Sequence, residues 1–308
     1  MKAGRSRSRE YRDIDGIVLL DKPLGLSSNQ ALQQVRKLFN ARKAGHCGSL
    51  DPLATGVLPI CLGEATKFSS YLLGANKCYR ASCRLGQTTT SGDAEGEIIE
   101  TVPVQVDLAQ VEQLLPQFTG EIEQIPPMYS ALKHQGKRLY QLAREGKQVE
   151  RAPRRITIYQ LNLLAFDGQT LDIDVSCSKG TYIRTLAEDI GRRLGCGAHL
   201  SALHRSSVDA FDEADTYSME QLEHLQAQSI QQLDNIVLPV SAALEHFPEI
   251  ILNASDSLDI RHGRRIALAA AAEPGPCRLY SSEGVFLGLG ELAASGELSA
   301  KRLMNTTR

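Results

Sequence analysis

Apolar and polar positions repeat along this chain with two periods, and the period changes from element to element. Gly16–Leu20 (GIVLL) is a continuous apolar run closed by Asp21-Lys22-Pro23, the pattern of a buried strand that ends in a turn. Ser27 or Ser28 then caps a helix with Leu32, Val35, Leu38 and Phe39 on one face, and Gly45 is its expected stop. Tyr79–Leu85 reads as a strand, Gly86–Gly96 as a polar loop, Ile98–Thr101 as a strand and Asp107–Phe118 as a helix. Leu171, Ile173, Val175 and Cys177 alternate with Asp172, Asp174 and Ser176, the period of a half-buried strand that follows another at Arg155–Phe166. Leu186, Ile190 and Leu194 line one face of a helix over Thr181–Leu194, with Gly195 after its end, and a further helix is expected at Met219–Gln228.

Two stretches break the pattern. Residues 120–151 carry Pro126-Pro127 and then Lys133, Lys137, Arg138, Arg144, Lys147 and Arg151, so they read as a basic insertion projecting from a sheet, with a short helix around Arg138–Gly146. Beyond Phe247 the texture becomes short strands, Gly-rich turns and an Ala-rich run, Ala267–Ala272, enough for one small β-rich unit. The expected organisation is a basic arm over 1–13, a body over 14–247 and a C-terminal unit over 248–308.

Composition narrows the class. The 308 residues are 42% hydrophobic and 23% charged, ordinary for a soluble globular protein and too apolar for a disordered one. No apolar run approaches the ~18 residues of a membrane span, and the basic first 13 residues lack the apolar stretch of a secretory signal. Seven cysteines without any C-x-x-C spacing point to reduced thiols rather than to a disulfide framework or a zinc site. The net charge of −2 hides a segregation. Residues 1–90 carry 14 Lys/Arg against 6 Asp/Glu, a net of +8, whereas residues 206–259 carry 11 Asp/Glu and no Lys or Arg. One part of the molecule is thus suited to a polyanion.

Three segments carry candidate chemistry. In Gly45–Gly56 (GHCGSLDPLATG) the glycines and Pro52 present Asp51 on a stiff loop ahead of the apolar run Val57–Leu62, with His46 nearby. Lone Asp-Pro turns are common, so the carboxylate is a candidate acid, base or nucleophile among other readings. In Ser178–Leu186 (SKGTYIRTL), Tyr182 and Arg184 stand at a strand-to-helix junction from which both can reach one pocket, and Arg184 can pair with a buried carboxylate. Tyr79, among Lys77, Arg80 and Arg84, has the composition of a base-stacking platform as well as that of a packed core residue.

Taken together these stretches resemble the bacterial TruB family of tRNA pseudouridine synthases. The match covers Gly16–Pro23, the G-H-x-G-x-L-D-P-x-A-x-G pattern of Gly45–Gly56, Gly63–Lys67, Ile125–Lys133, Gly136–Tyr140, the K-G-T-Y-I-R of residues 179–184, and Gly195–Leu200. The resemblance implies an α+β fold, with a mixed, mainly antiparallel central sheet flanked by helices, a thumb-like insertion at about 120–151 and a PUA-like RNA-binding domain at the C-terminus. It implies isomerisation of uridine 55 in the T-loop of tRNA, by a monomeric cytoplasmic enzyme that needs no cofactor or metal, no membrane and no obligate protein partner, with tRNA-folding chaperone activity as a secondary role. By the same resemblance Asp51 is the catalytic aspartate, Tyr79 stacks on the flipped uracil, and Arg184 pairs with the carboxylate. Tyr182 is the second tyrosine of the site, His46 helps extrude the target base, and Leu203 lines the pocket. His204 stands where related chains place a second basic residue.

Two other classes compete. A glycosidase working through Asp51 needs a second carboxylate about 5–10 Å away, and the acids near the motif in sequence, Asp21 and Glu64, sit in no comparable loop. A purely RNA-binding protein accounts for the basic N-terminal part but leaves the set Asp51, Tyr79, Tyr182 and Arg184 without a purpose. Pseudouridine mapping alongside an assay for free uracil separates the three.

Overall fold

The computed structural model describes residues 11–268 and 273–305. Most of the basic arm and of the Ala-rich run therefore lie outside the described residues.

Strand β1 (Gly16–Lys22) leads through α1 (Ser28–Leu38) and the short β2 (Ala44–His46) into β3 (Ala54–Leu62). A short helix α2 (Ser69–Gly74) turns the chain into β4 (Lys77–Leu85), and β5 (Gln87–Thr89) and β6 (Ile98–Thr101) form a hairpin beyond it. After α3 (Leu108–Leu114) come β7 (Gly120–Gln124), a two-rung hairpin of β8 (Lys133–His134) and β9 (Lys137–Arg138), and α4 (Leu139–Arg144). The long strands β10 (Arg154–Phe166) and β11 (Thr170–Cys177) lead to α5 (Ile183–Arg193) and β12 (Ala198–Val208), on which β13 (Phe211–Asp212) folds back. Helices α6 (Met219–Gln228) and α7 (Ile230–Asp234) complete this part.

The main sheet runs in the order β1-β3-β12-β4-β11-β10-β7, with β2 added on β3 and β13 on β12. Every pairing in it is antiparallel except β3 with β12. The sheet is therefore mixed and mainly antiparallel, as the resemblance implies. Its two faces explain the continuous apolar run of β1. Val18 and Leu20 pack with Ala31, Val35 and Phe39 on one side, whereas Ile17 and Leu19 pack with Phe68, Leu72 and Leu244 on the other. A strand covered on both faces has no polar alternation to show.

A second sheet is built from β14 (Glu249–Leu252), β15 (Ile266–Ala267), β16 (Gly275–Ser281), β17 (Phe286–Leu292) and β18 (Glu297–Leu303), in the order β14-β16-β17-β18-β15, with α8 (Ala254–Arg261) packed against it.

Three local expectations are corrected. Helix α1 ends at Leu38, well before Gly45, because Phe39 caps it and Asn40 takes the left-handed φ of 47° that stops a helix. Gly45 is instead inside β2. Residues 120–124 are not part of a projecting insertion but the edge strand of the main sheet, paired with Arg154–Ile158. Exposed Glu121 and Glu123 alternate there with Ile122 and buried Gln124, a period-2 pattern that the neighbouring prolines obscure. Finally, β12 runs for eleven residues where no strand was expected. Its His199, Ser201, His204 and Arg205 break any apolar alternation, and its pairing comes from neighbours far away in sequence.

Candidate active site

Asp51 sits on the loop between β2 and β3, and the loop is fastened at several points. The Ser28 hydroxyl, in the first turn of α1, donates to the Leu50 carbonyl (2.9 Å) and accepts from the Leu50 N–H (2.7 Å). The Gly25 N–H donates to the Pro52 carbonyl at 2.8 Å. Gly56 has φ of 99°, and a Cβ there would come within 2.2 Å of the Arg205 carbonyl oxygen, so only glycine allows β3 to lie against β12 at this point. The sequence thus folds into a rigid perch that leaves the Asp51 side chain 45% exposed at the mouth of a cleft.

Arg184, buried at the start of α5, reaches across to it. Its Nη2 is 3.0 Å from Asp51 Oδ2. Its other contacts are the Ser91 carbonyl (Nη1, 3.0 Å), the Tyr129 carbonyl (Nη2, 2.6 Å) and Asp93 Oδ2 (Nε, 3.6 Å). One planar guanidinium therefore joins the Asp51 loop, the loop that ends β5 and the start of the thumb-like segment. Burial pushes the Asp51 carboxyl above its usual range, Arg184 pulls it back and Asp93 pushes it further up. The ion pair offsets the desolvation without overcoming it.

The cleft has a volume of about 280 Å3, close to the lower end of small-ligand pockets. Asp51, Tyr79, Tyr182, Arg184 and Leu203 all line it. Tyr79 stands on β4 opposite Arg205 of β12 and Val175 of β11, and its ring is almost wholly buried. Leu203 faces Ala54 and Ala81 across the strand pairs. Tyr182 is the residue that caps α5. His46, the sixth expected residue, is not brought into this cleft. It closes β2, and its buried Nδ1 has no hydrogen-bond partner among the described residues. Burial, then the charges of Arg205 and Arg138, lower its pKa and keep the imidazole neutral.

Several residues of the site are absent from the sequence-level list. Asp93 is buried, takes a hydrogen bond from the Glu95 N–H (3.1 Å) and touches Arg184, yet does not line the cleft. It is thus a support for the guanidinium rather than the second acid of a glycosidase. Arg205 is only 1% exposed; its Nε donates to the Val57 carbonyl (2.7 Å) and its Nη2 to the Gly48 carbonyl (3.3 Å). Lys77 also lines the cleft and gives its ammonium to the carbonyls of Leu72, Leu73 and Ala75, and burial lowers its pKa to about 8. Lys22, beside the Asp51 loop, is fully buried, bonds the carbonyls of Pro23 and Leu26, and is likewise lowered to about 8 by burial. In a sequence these cations look like surface charges.

A carboxylate paired to a buried guanidinium, in a cleft walled by two tyrosines, suits an enzyme that acts on a substrate bearing a flat ring. The comparisons with known proteins narrow that class. The family model described as TruB family pseudouridylate synthase (N terminal domain) matches residues 36–183, tRNA pseudouridylate synthase B C-terminal domain matches 184–245, and Pseudouridine synthase II TruB, C-terminal, matches 248–304. The tRNA pseudouridine synthase B of Methylobacillus flagellatus is 53% identical over 96% of this chain and 97% of its own. That of Chromohalobacter salexigens is 52% identical over 98% of each. Among solved structures, a Cbf5-Nop10-Gar1 complex contains a chain of the same fold, with a TM-score of 0.70 and 26% identity over 94% of this chain and 83% of that one. An H/ACA ribonucleoprotein bound to a substrate RNA contains another, with a TM-score of 0.72 and 24% identity over 95% and 86%. The chain belongs to the TruB family of pseudouridine synthases.

Proposed function

We propose that this chain converts uridine 55 in the T-loop of tRNA to pseudouridine, the reaction its resemblance to the TruB family implies; its relatives are named for making pseudouridine in tRNA. The observation that carries the reading is the Asp51–Arg184 pair at 3.0 Å inside a cleft shared with Tyr79 and Tyr182. The reaction breaks the N1–C1′ bond, turns the uracil within the site and joins C5 to C1′, after which C5 gives up its proton and N1, freed from the sugar, takes one up. Atoms balance without any co-reactant. The target base leaves its stack at a cost of a few kcal/mol, and the Tyr79 ring offers a stacking surface in return. Asp51 acts on the ribose, at C1′ as a nucleophile or at C2′ as a base, and Arg184 holds it in place. Tyr182 assists proton transfer at C5. His46, outside the cleft, contacts the T-loop and helps extrude the target base.

On this reading residues 14–247 are the catalytic part, the segment beyond Gln124 is a thumb that closes on RNA, and residues 248–308 form a PUA-like RNA-binding domain. The enzyme works as a cytoplasmic monomer.

The test is Asp51→Asn, which keeps shape and removes charge. RNA affinity rests mainly on phosphate contacts, so the variant is expected to bind an unmodified tRNA transcript like the wild type while forming no pseudouridine. Pseudouridine at position 55 in its product would overturn the assignment.

A further inference from the structure

Gln124 is the last residue of β7 and is only 2% exposed. Its side chain makes two hydrogen bonds, both to one residue. Its Oε1 accepts from the Tyr182 N–H at 2.9 Å, and its Nε2 donates to the Tyr182 carbonyl at 3.1 Å. Only this orientation of the carboxamide satisfies both bonds; the flipped one would set donor against donor and acceptor against acceptor. Tyr182 caps α5 in an extended conformation, φ −104° and ψ 108°, and its own side chain forms no capping bond. The carboxamide thus does for Tyr182 what a neighbouring strand would do, fixing both backbone polar groups where no strand is present.

The position of Gln124 adds a second link. The chain leaves the main sheet directly after it, through Pro126-Pro127, and rejoins at Arg154, its partner across β7 and β10. The same segment touches the site again where the Tyr129 carbonyl accepts from Arg184. Tyr182 and Arg184 are therefore each bonded to the root of the thumb.

We propose that Gln124 is a positioning residue that sets the Tyr182 ring in the cleft, an inference that rests on the role given to Tyr182 above.

The test is a double-mutant cycle read in single turnovers, with full-length enzyme in excess over an unmodified tRNA transcript. Gln124→Met keeps the length and removes both hydrogen bonds. It is expected to slow pseudouridine formation about tenfold or more, while the enzyme concentration giving half-maximal rate stays within about twofold. Tyr182→Ala is expected to be slow, and adding Gln124→Met to it should change the rate by less than about twofold, because the clamp then has no ring to place. Equal losses in both backgrounds would reduce Gln124 to a buried space-filler and overturn the proposal. A wild-type rate for Gln124→Met beside a slow Tyr182→Ala would overturn it too, leaving the role of Tyr182 intact. A wild-type rate for Tyr182→Ala would remove that role and the clamp together. Should Gln124→Met fail to fold, Gln124→Leu, which also removes both hydrogen bonds and adds no charge, takes its place in the cycle with the same outcomes.

Discussion

Asp51 and Arg184 show how one side chain tunes another. The Asp51 side chain is partly open to solvent, yet the surrounding cleft strips enough water from its carboxyl to hold it above its usual range, and Arg184 restrains the rise. In the proposed role the ionised form does the chemistry, so activity is expected above that raised pKa and is expected to be lost as pH falls through it. The acid limb of the single-turnover rate is therefore expected above the ~3.9 of an unperturbed aspartate; a limb at or below that value would contradict the geometry. Arg184→Met should move the limb higher still. Arg184→Lys should leave it near its wild-type place, because the charge survives, yet lower the rate at least about tenfold, roughly 1.4 kcal/mol. An ammonium cannot serve Asp51 and the carbonyls of Ser91 and Tyr129 at once from one plane. At this scale the sequence was legible wherever a residue sat in a dense motif: Asp51, Tyr182 and Arg184 meet in the cleft. It was silent on Arg205, Lys22 and Lys77, because a cation satisfied by backbone carbonyls has no sequence signature apart from the fold that buries it.

At the scale of elements the seam between β3 and β12 matters most. It is the one parallel pairing of the main sheet, and it sets Leu203 beside Ala54, three residues after Asp51. Gly56→Ala should open this seam, because its Cβ meets the Arg205 carbonyl and its φ is strained as well. The expected loss is about 2 kcal/mol or more, read from the denaturation midpoint, together with reduced turnover. Gly180→Ala offers the comparison. It has a φ of 82° but open space around it, so its loss should be smaller. Equal losses would mean that backbone strain alone, not the close approach, makes Gly56 necessary. Elements with a clean period, such as β11 and α5, could be read from the chain. Strand β12 could not, since several of its polar residues are satisfied by partners more than a hundred positions away: Arg205 by Val57, Ser201 by Ser82 and His199 by Gln87.

For the molecule as a whole, the C-terminal sheet is less separable than its sequence texture suggests. Leu289 of β17 is buried in the same core as Phe68 and Leu72, and Phe286 packs on Phe68 at a ring distance of 5.9 Å. The Gly63–Lys67 segment completes the joint: Lys67 Nζ donates to the Leu303 carbonyl (3.2 Å), and Glu64 accepts from the Asn305 N–H (2.7 Å). Deleting residues 249–308 is therefore expected to lower the melting temperature of what remains, in addition to weakening RNA binding and flattening its salt dependence. An unchanged melting temperature would show the joint to be dispensable. The order of strands carries one more consequence, for the newborn chain. β3 and β4 do not pair with each other; β12 lies between them, and it is made last of the three. Until residue 208 has left the ribosome, two long strands wait with bare hydrogen-bonding edges. Such edges recruit other chains, so the hazard in making this enzyme is concentrated in the interval of synthesis between β4 and the end of β12.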